Sequence, residues 1–135
     1  MERNYDIIVC GGGPGGIAAA VGAARLGKKV LLVERYGFLG GGATAMLVNP
    51  FMTYYAGRRQ IVKGIFQEIV ERLTMLGAFG NNRMEKTPWA FDAEVFKIVA
   101  DEICLENQVE VLFHASVVGA MRKENEIEEI QIATK

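Results

Sequence analysis

The chain is short of several things that would announce a function directly. It has only two cysteines, Cys10 and Cys104, far apart and outside any CxxC spacing, with no histidine or acidic cluster beside either. That excludes a disulfide framework and a thiolate metal site, and it predicts two buried, inert thiols in a reducing compartment. Charge of one sign is missing as well. Fifteen Lys and Arg against sixteen Asp and Glu leave a net charge of -1, so no basic footprint draws in a phosphate backbone and nucleic acid is excluded as a partner. No apolar run approaches the ~18 residues of a membrane span, and the polar start is unlike a secretory signal, so a cytoplasmic protein without membrane contact is expected. Internal repeats and low-complexity tracts are also missing.

What the chain has in excess is glycine. Of its 16 glycines, eleven fall between Gly11 and Gly42. With 135 residues, 50% hydrophobic and 23% charged, the length and composition are those of one globular domain concentrating its chemistry near the amino terminus.

Residues 7–10 form a continuous β-branched run closed by Gly11, as expected of a strand covered on both faces. The alanine-rich stretch 14–26 predicts a helix that lies close on a sheet and ends at Gly27. Residues 30–33 repeat the buried-strand pattern and end at Glu34. Residues 5–34 thus spell one βαβ unit, and with it an α/β fold.

Beyond it, glycines and Pro50 break all periodicity from 35 to 59, a length that points to function. A helix is predicted over 61–76, its inner face formed by Ile61, Ile65, Ile69, Leu73 and Leu76. A loop follows over 80–89, with Thr87 biased to extended geometry by Pro88. Asp92 is placed to cap a helix over 93–107 that turns Val95, Phe96, Val99 and Ile103 inward. Residues 109–113 read as a strand, and 117–122 with 127–133 as an antiparallel hairpin about a polar turn. Glu126, Glu128 and Glu129 form a solvated hairpin edge that discourages strand addition.

Gly11, Gly13 and Gly16 make a G-x-G-x-x-G pattern between the first strand and the first helix. The first glycine allows a tight turn, the second a close approach of backbone to a pyrophosphate, and the third close helix-to-strand packing. A phosphate would then meet free N–H groups at a helix N-terminus. Glu34, at the end of the second strand, is the expected acceptor for ribose hydroxyls and argues against a cofactor with a 2'-phosphate, which adjacent Arg35 could soften. A second cluster, Gly40, Gly41, Gly42, Ala43 and Thr44, offers further backbone N–H groups and a hydroxyl to the pyrophosphate. That cluster favours flavin over nicotinamide, since an NAD dehydrogenase would ordinarily continue into sheet and helix there.

Residues 6–44 resemble the amino-terminal FAD-binding segment of the FAD-dependent oxidoreductases, flavoproteins with two dinucleotide-binding motifs. Residues 64–73, 91–95 and 109–113 with the following hairpin are similar to that family too. The resemblance implies a Rossmann-like, three-layer FAD/NAD(P)-binding fold with a parallel sheet and a small antiparallel hairpin. It also implies FAD as cofactor: Gly11, Gly13, Pro14, Gly15 and Gly16 on the pyrophosphate, Glu34 and Arg35 at the adenosine, Gly41, Gly42, Ala43 and Thr44 on the phosphate and ribityl side, and Val117 against adenine through its backbone. Family members continue into a further parallel strand, a substrate domain and a late Gly-Asp motif, none of which this sequence contains. Residues 1–135 are therefore expected to be one truncated FAD-binding domain with no assignable catalytic residue and an unidentified small-molecule substrate. The absent strand would leave residues 7–10 as an apolar edge open to self-association. An NAD-dependent dehydrogenase domain and a non-catalytic nucleotide-binding fragment stand as alternatives.

His114, at a strand end, reads as structural rather than as a general base. The methionines and Trp89 read as core or loop packing.

Overall fold

The computed structural model describes residues 4–80 and 89–134. Thr87, Pro88 and their neighbours in the 80–89 loop lie largely outside them. Three parallel strands form the centre: β1 (Ile7–Cys10), β2 (Val30–Val33) and, much later in the chain, β3 (Glu110–Leu112), in the spatial order β1-β2-β3. Between β1 and β2 runs α1 (Pro14–Arg25). Its end is set by Gly27, whose φ of +77° lets the amides of Gly27 and Lys28 turn back onto the carbonyls of Ala24 and Ala23.

β2 is buried along its whole length and sorts its side chains by parity. Val30 and Leu32 face a core built with Ile17, Ala20 and Val21 of α1 and with Ile69, Leu73, Phe96, Val99 and Ile103 from the two later helices. Those helices are α2 (Ile65–Met75) and α3 (Ala93–Glu106). Leu31 and Val33 face the other way, onto Ala115, Val117 and Ile132 of a long hairpin, β4 (Ala115–Lys123) and β5 (Glu126–Thr134). The layers are helices, parallel sheet and hairpin, the Rossmann-like α/β arrangement expected, and the hairpin is antiparallel as predicted.

Helix α3 begins as predicted. Asp92 Oδ1 accepts from the amides of Glu94 (2.8 Å) and Val95 (3.2 Å), and Phe96, Val99 and Ile103 are fully buried. Helix α2 is shorter than predicted at its start. Gly64, with φ of +67°, ends any helical geometry toward the amino terminus, and the amides of Ile61 and Val62 donate instead to the carbonyl of Tyr54. Ile61 and Val62 are exposed, as is Leu76, which lies just past the helix end. Tyr55–Ala56 and Arg59–Gln60 pair as a miniature hairpin about Gly57, inside the stretch read as irregular. Two further expectations fail. Cys10 is exposed, because β1 is an edge strand, whereas Cys104 is buried as expected and its thiol is pushed up to about 11 by burial and then by Asp101. Met46, Met52, Met75 and Met121 are exposed rather than packed, and Trp89 is 40% exposed.

The three helices are joined at their outer surface by an ion-pair chain. Glu68 of α2 accepts from Arg25 of α1 (2.7 Å) and from Arg72 (2.8 Å), and Arg72 reaches Glu106 of α3 (2.6 Å). Burial alone would raise the Glu68 carboxyl, but the hydrogen bonds from the two arginines outweigh it and hold it below its ordinary value. A folded-state value below the unfolded one gives stability that is present above the ordinary carboxylate range and is lost as pH falls through the depressed value. Arg72→Met is expected to cost on the order of 1 kcal/mol at neutral pH, with the gap to wild type narrowing as urea titrations are carried from pH 7 to pH 3. A gap that stays constant over that interval would show that the network does not act through its carboxylates.

Candidate nucleotide-binding site

The carboxyl ends of the parallel strands meet the two glycine clusters in one place. Gly11 leaves β1 with φ of +104°, its amide donating to the carbonyl of Val33 (2.8 Å), and the chain turns straight into α1 at Pro14. Gly13 occupies the N-cap position, and no side chain caps the helix. The first amide of this end to find a helical acceptor is that of Ile17, on Gly13 O (2.9 Å). The N-terminal turn of α1 therefore keeps its positive end and unclaimed donors for an outside acceptor.

Gly16 is required by packing, since a Cβ there would be driven into the carbonyl oxygen of Gly11. Gly41 is required by the second cluster. It has φ of +52°, and a Cβ on it would lie 2.8 Å from Cα of Gly13, so the backbones of the two clusters touch. Gly15 and Gly42, in contrast, have nothing within 4 Å of where a Cβ would be. The space over the helix end is open, and glycine keeps it open.

Glu34 ties these parts together. It is only 4% exposed. Its Oε2 accepts from the amide of Gly12 (2.6 Å) and its Oε1 from the amide of Tyr36 (2.9 Å), while Gly40 donates to Gly12 O (2.8 Å). Backbone pairing continues to the hairpin side: Glu34 N donates to Leu112 O, Ala115 N to Glu34 O and His114 N to Tyr36 O. His114 takes a positive φ at this turn, and its ring lies against Gly37 and lines a neighbouring hollow with Arg35, Tyr36 and Ser116.

The result is a cleft of about 340 Å³ lined by Gly11, Glu34, Arg35, Gly41, Gly42 and Val117 among the expected residues, together with Cys10, Val33, Tyr36, Met46, Ala115 and Ser116. The remaining candidates stand apart from its walls. Gly13, Pro14, Gly15 and Gly16 form the adjoining helix end, and Ala43 and Thr44 are buried beneath the second cluster. Thr44 departs from its expected role, because its hydroxyl donates to the carbonyl of Leu39 (2.7 Å) and braces the glycine turn from within. Sequence reasoning passed over Gly12, whose amide holds Glu34, because the intermediate positions of a G-x-G pattern carry no signal. Tyr36 and Ser116 were likewise missed, although both sit next to candidates.

An uncapped helix N-terminus, glycines whose bareness leaves room above it, and a carboxylate at the end of the second strand fit the ADP half of a dinucleotide. Residues 6–135 match the family model for FAD dependent oxidoreductase. The chain belongs to that family. The family is FAD-dependent, so FAD is the cofactor. A stretch of 39 residues is 59% identical to the soluble pyridine nucleotide transhydrogenase of Mycobacterium tuberculosis, covering 29% of this chain and 8% of that protein. Over 88 residues the chain is 32% identical to the enzyme of the same name from Photorhabdus laumondii, covering 54% of this chain and 19% of that protein. Among solved structures it is similar to Thermovibrio ammonificans THI4 (TM-score 0.63, 21% identity, 96% of this chain and 48% of that one). It is also similar to the L-amino acid deaminase of Proteus vulgaris (TM-score 0.63, 16% identity, 98% and 45%). These structural likenesses establish the fold. The chain spans less than half the length of those two structures and far less of the two transhydrogenases.

The two kinds of glycine separate binding from folding. Gly15→Ala is expected to leave the urea midpoint of the unliganded protein unchanged or slightly raised, since alanine favours a helix by up to about 1 kcal/mol over glycine, while weakening FAD binding at least about tenfold by filling the space over the helix end. Gly16→Ala is expected to destabilise the protein itself by about 1–3 kcal/mol through forced overpacking. Equal effects of the two substitutions on stability would contradict this division.

Proposed function

We propose that the chain, over residues 1–135, is the FAD-binding part of a flavin-dependent oxidoreductase and holds the ADP half of the cofactor across the carboxyl ends of β1 and β2. The observation that carries this reading is the bare N-terminus of α1, set against the second glycine cluster and continuous with a cleft that runs past Glu34 to Val117. In it, Gly11, Gly13, Pro14, Gly15 and Gly16 with Gly41 and Gly42 surround the pyrophosphate through backbone donors. Glu34 and Arg35 border the adenosine ribose, and Val117 borders adenine. Glu34 can organise both loops and still meet a ribose hydroxyl, because a carboxylate oxygen has room for a second donor. Ala43 and Thr44 act one layer back, by fixing the turn. FAD supplies redox chemistry through its flavin ring, and the protein's share is to bind and orient it. No residue is assigned to the reacting end, and the substrate class is open. A nicotinamide cofactor is the second reading. The contact between Gly41 and Gly13 disfavours it, since it supplies a second glycine wall next to the helix end.

The absorption spectrum of the purified protein decides first. Flavin bands in the visible, with FAD recovered from the denatured protein, are expected. Titration should show FAD and ADP binding, and NAD at least about tenfold more weakly. A colourless protein that takes up NAD but neither FAD nor ADP would overturn the assignment.

We also propose that the protein self-associates through β1. Among the described residues this strand is hydrogen-bonded on one side only, and Ile7 is 38% exposed on it. Light scattering should give a mass that rises with concentration, and Ile7→Lys should lower it toward one chain. A single-chain mass for the wild type at every concentration would refute this. Two free thiols suit a reducing, cytoplasmic setting.

A further inference from the structure

Arg35, at the wall of the nucleotide cleft, is the first member of a row of contacts that ends on a helix lying elsewhere in the core. Its guanidinium carbon lies 4.7 Å from the centroid of the Tyr36 ring. The Tyr36 ring stacks on that of Phe38, with centroids 5.6 Å apart and planes within 8° of parallel. Over the Phe38 ring, 4.2 Å from its centroid, sits Nζ of Lys97 of α3. Lys97 is itself held by Glu94 at 2.7 Å, one turn back on the same helix and close to the Asp92 cap. A cation at each end of two stacked rings is a favourable electrostatic arrangement, since each ring presents negative charge on its face.

The backbone of the same loop is fixed at two points, by Tyr36 N on Glu34 Oε1 and by Tyr36 O accepting from His114 N. Neither bond orients the side chain of Arg35. Among the described residues Arg35 has no acidic partner within ion-pair distance, and its one ring contact is Tyr36. The stack is therefore what sets where the guanidinium lies. We propose that Phe38 and Lys97 are positioning residues for Arg35, and that through this row α3 sets the loop 35–38 in the conformation that presents a cation to the adenosine end of the cleft. The ligand side of this inference rests on the FAD reading; the positioning of the loop does not.

The test has one arm for each. Without ligand, trypsin cleavage after Arg35 reports how firmly the loop is held. Phe38→Leu and Lys97→Met are expected to speed that cleavage at least about threefold, the size of effect one such ring contact supports, with cleavage at Arg25 and Arg72 unchanged. With ADP as the probe, Arg35→Met should weaken binding. Phe38→Leu should weaken it by a similar factor in the wild type and by less than about twofold in the Arg35→Met background, because the two act on one interaction. If the new variants leave cleavage after Arg35 unchanged, or if the Phe38 and Arg35 losses multiply in full, the proposal is wrong. Lys97→Met, at a half-buried position outside the apolar core, keeps the first arm decisive should Phe38→Leu fold poorly. A protein that binds no ADP but shows faster cleavage in both variants would uphold the positioning role and refute the FAD reading alone.

Discussion

The site depends on one carboxylate. Glu34 is the first residue after a strand buried at every position, and its two oxygens take the amides of Gly12 and Tyr36. Each of those amides belongs to a different glycine-containing loop. A charge-assisted bond to a backbone N–H is about twice as strong as a neutral one, and here two such bonds converge on a single, nearly buried group. The consequence spreads outward: Gly12 in turn accepts from Gly40, which sets the second cluster against Gly13. The two glycine clusters are in this way tied to one another and to the sheet by the protein's own hydrogen bonds.

Two devices keep that arrangement rigid from opposite sides. Thr44 braces the second glycine turn from below through Leu39, so that a polar side chain in the core has its hydrogen bond and the turn has a fixed shape. Phe38 and Lys97 hold the 35–38 loop from the helix layer. Between them the open faces of Gly15 and Gly42 are left as the unfilled surface. Residues that look alike in the sequence thus divide into those that create the space and those that define its walls.

The βαβ unit was legible because its signals are local and redundant. The run at 30–33 is apolar at every position, as a strand buried on both faces must be, and the alanines of α1 with Gly27 mark a close-packed helix and its stop. Asp92 was legible for the same reason, a short polar side chain at the boundary of an apolar periodicity. The start of α2 was not. Ile61 and Val62 continue the helical pattern by chance, and what stops the helix is the positive φ of Gly64 together with bonding of the preceding amides to Tyr54, a tertiary matter. Cys10 was misread because its exposure depends on which strand lies beside β1, and no local pattern encodes a neighbour. Gly12 and Thr44 were misjudged in complementary ways. One carries a bond through its backbone, which the residue type does not advertise, and the other has a hydroxyl whose direction only the folded turn decides.

The same reasoning bears on how much chemistry this chain can hold. The groups proposed for the pyrophosphate and the ribose are backbone donors, a carboxylate already engaged, and a cation set by stacking. These are the properties of groups that bind and orient. The His114 ring lies against Gly37 and lines a neighbouring hollow with Arg35 and Ser116, and Cys104 is buried with its thiol held protonated near neutral pH. Cys10 is exposed at the cleft but has no resolving partner among the described residues. On the function proposed above, what this chain contributes to a flavin reaction is the fixed position of the cofactor's nucleotide half. Just past Gly42 the exposed Met46, Leu47 and Val48 make the surface beside the second glycine cluster apolar, in contrast to the polar backbone that borders the cleft.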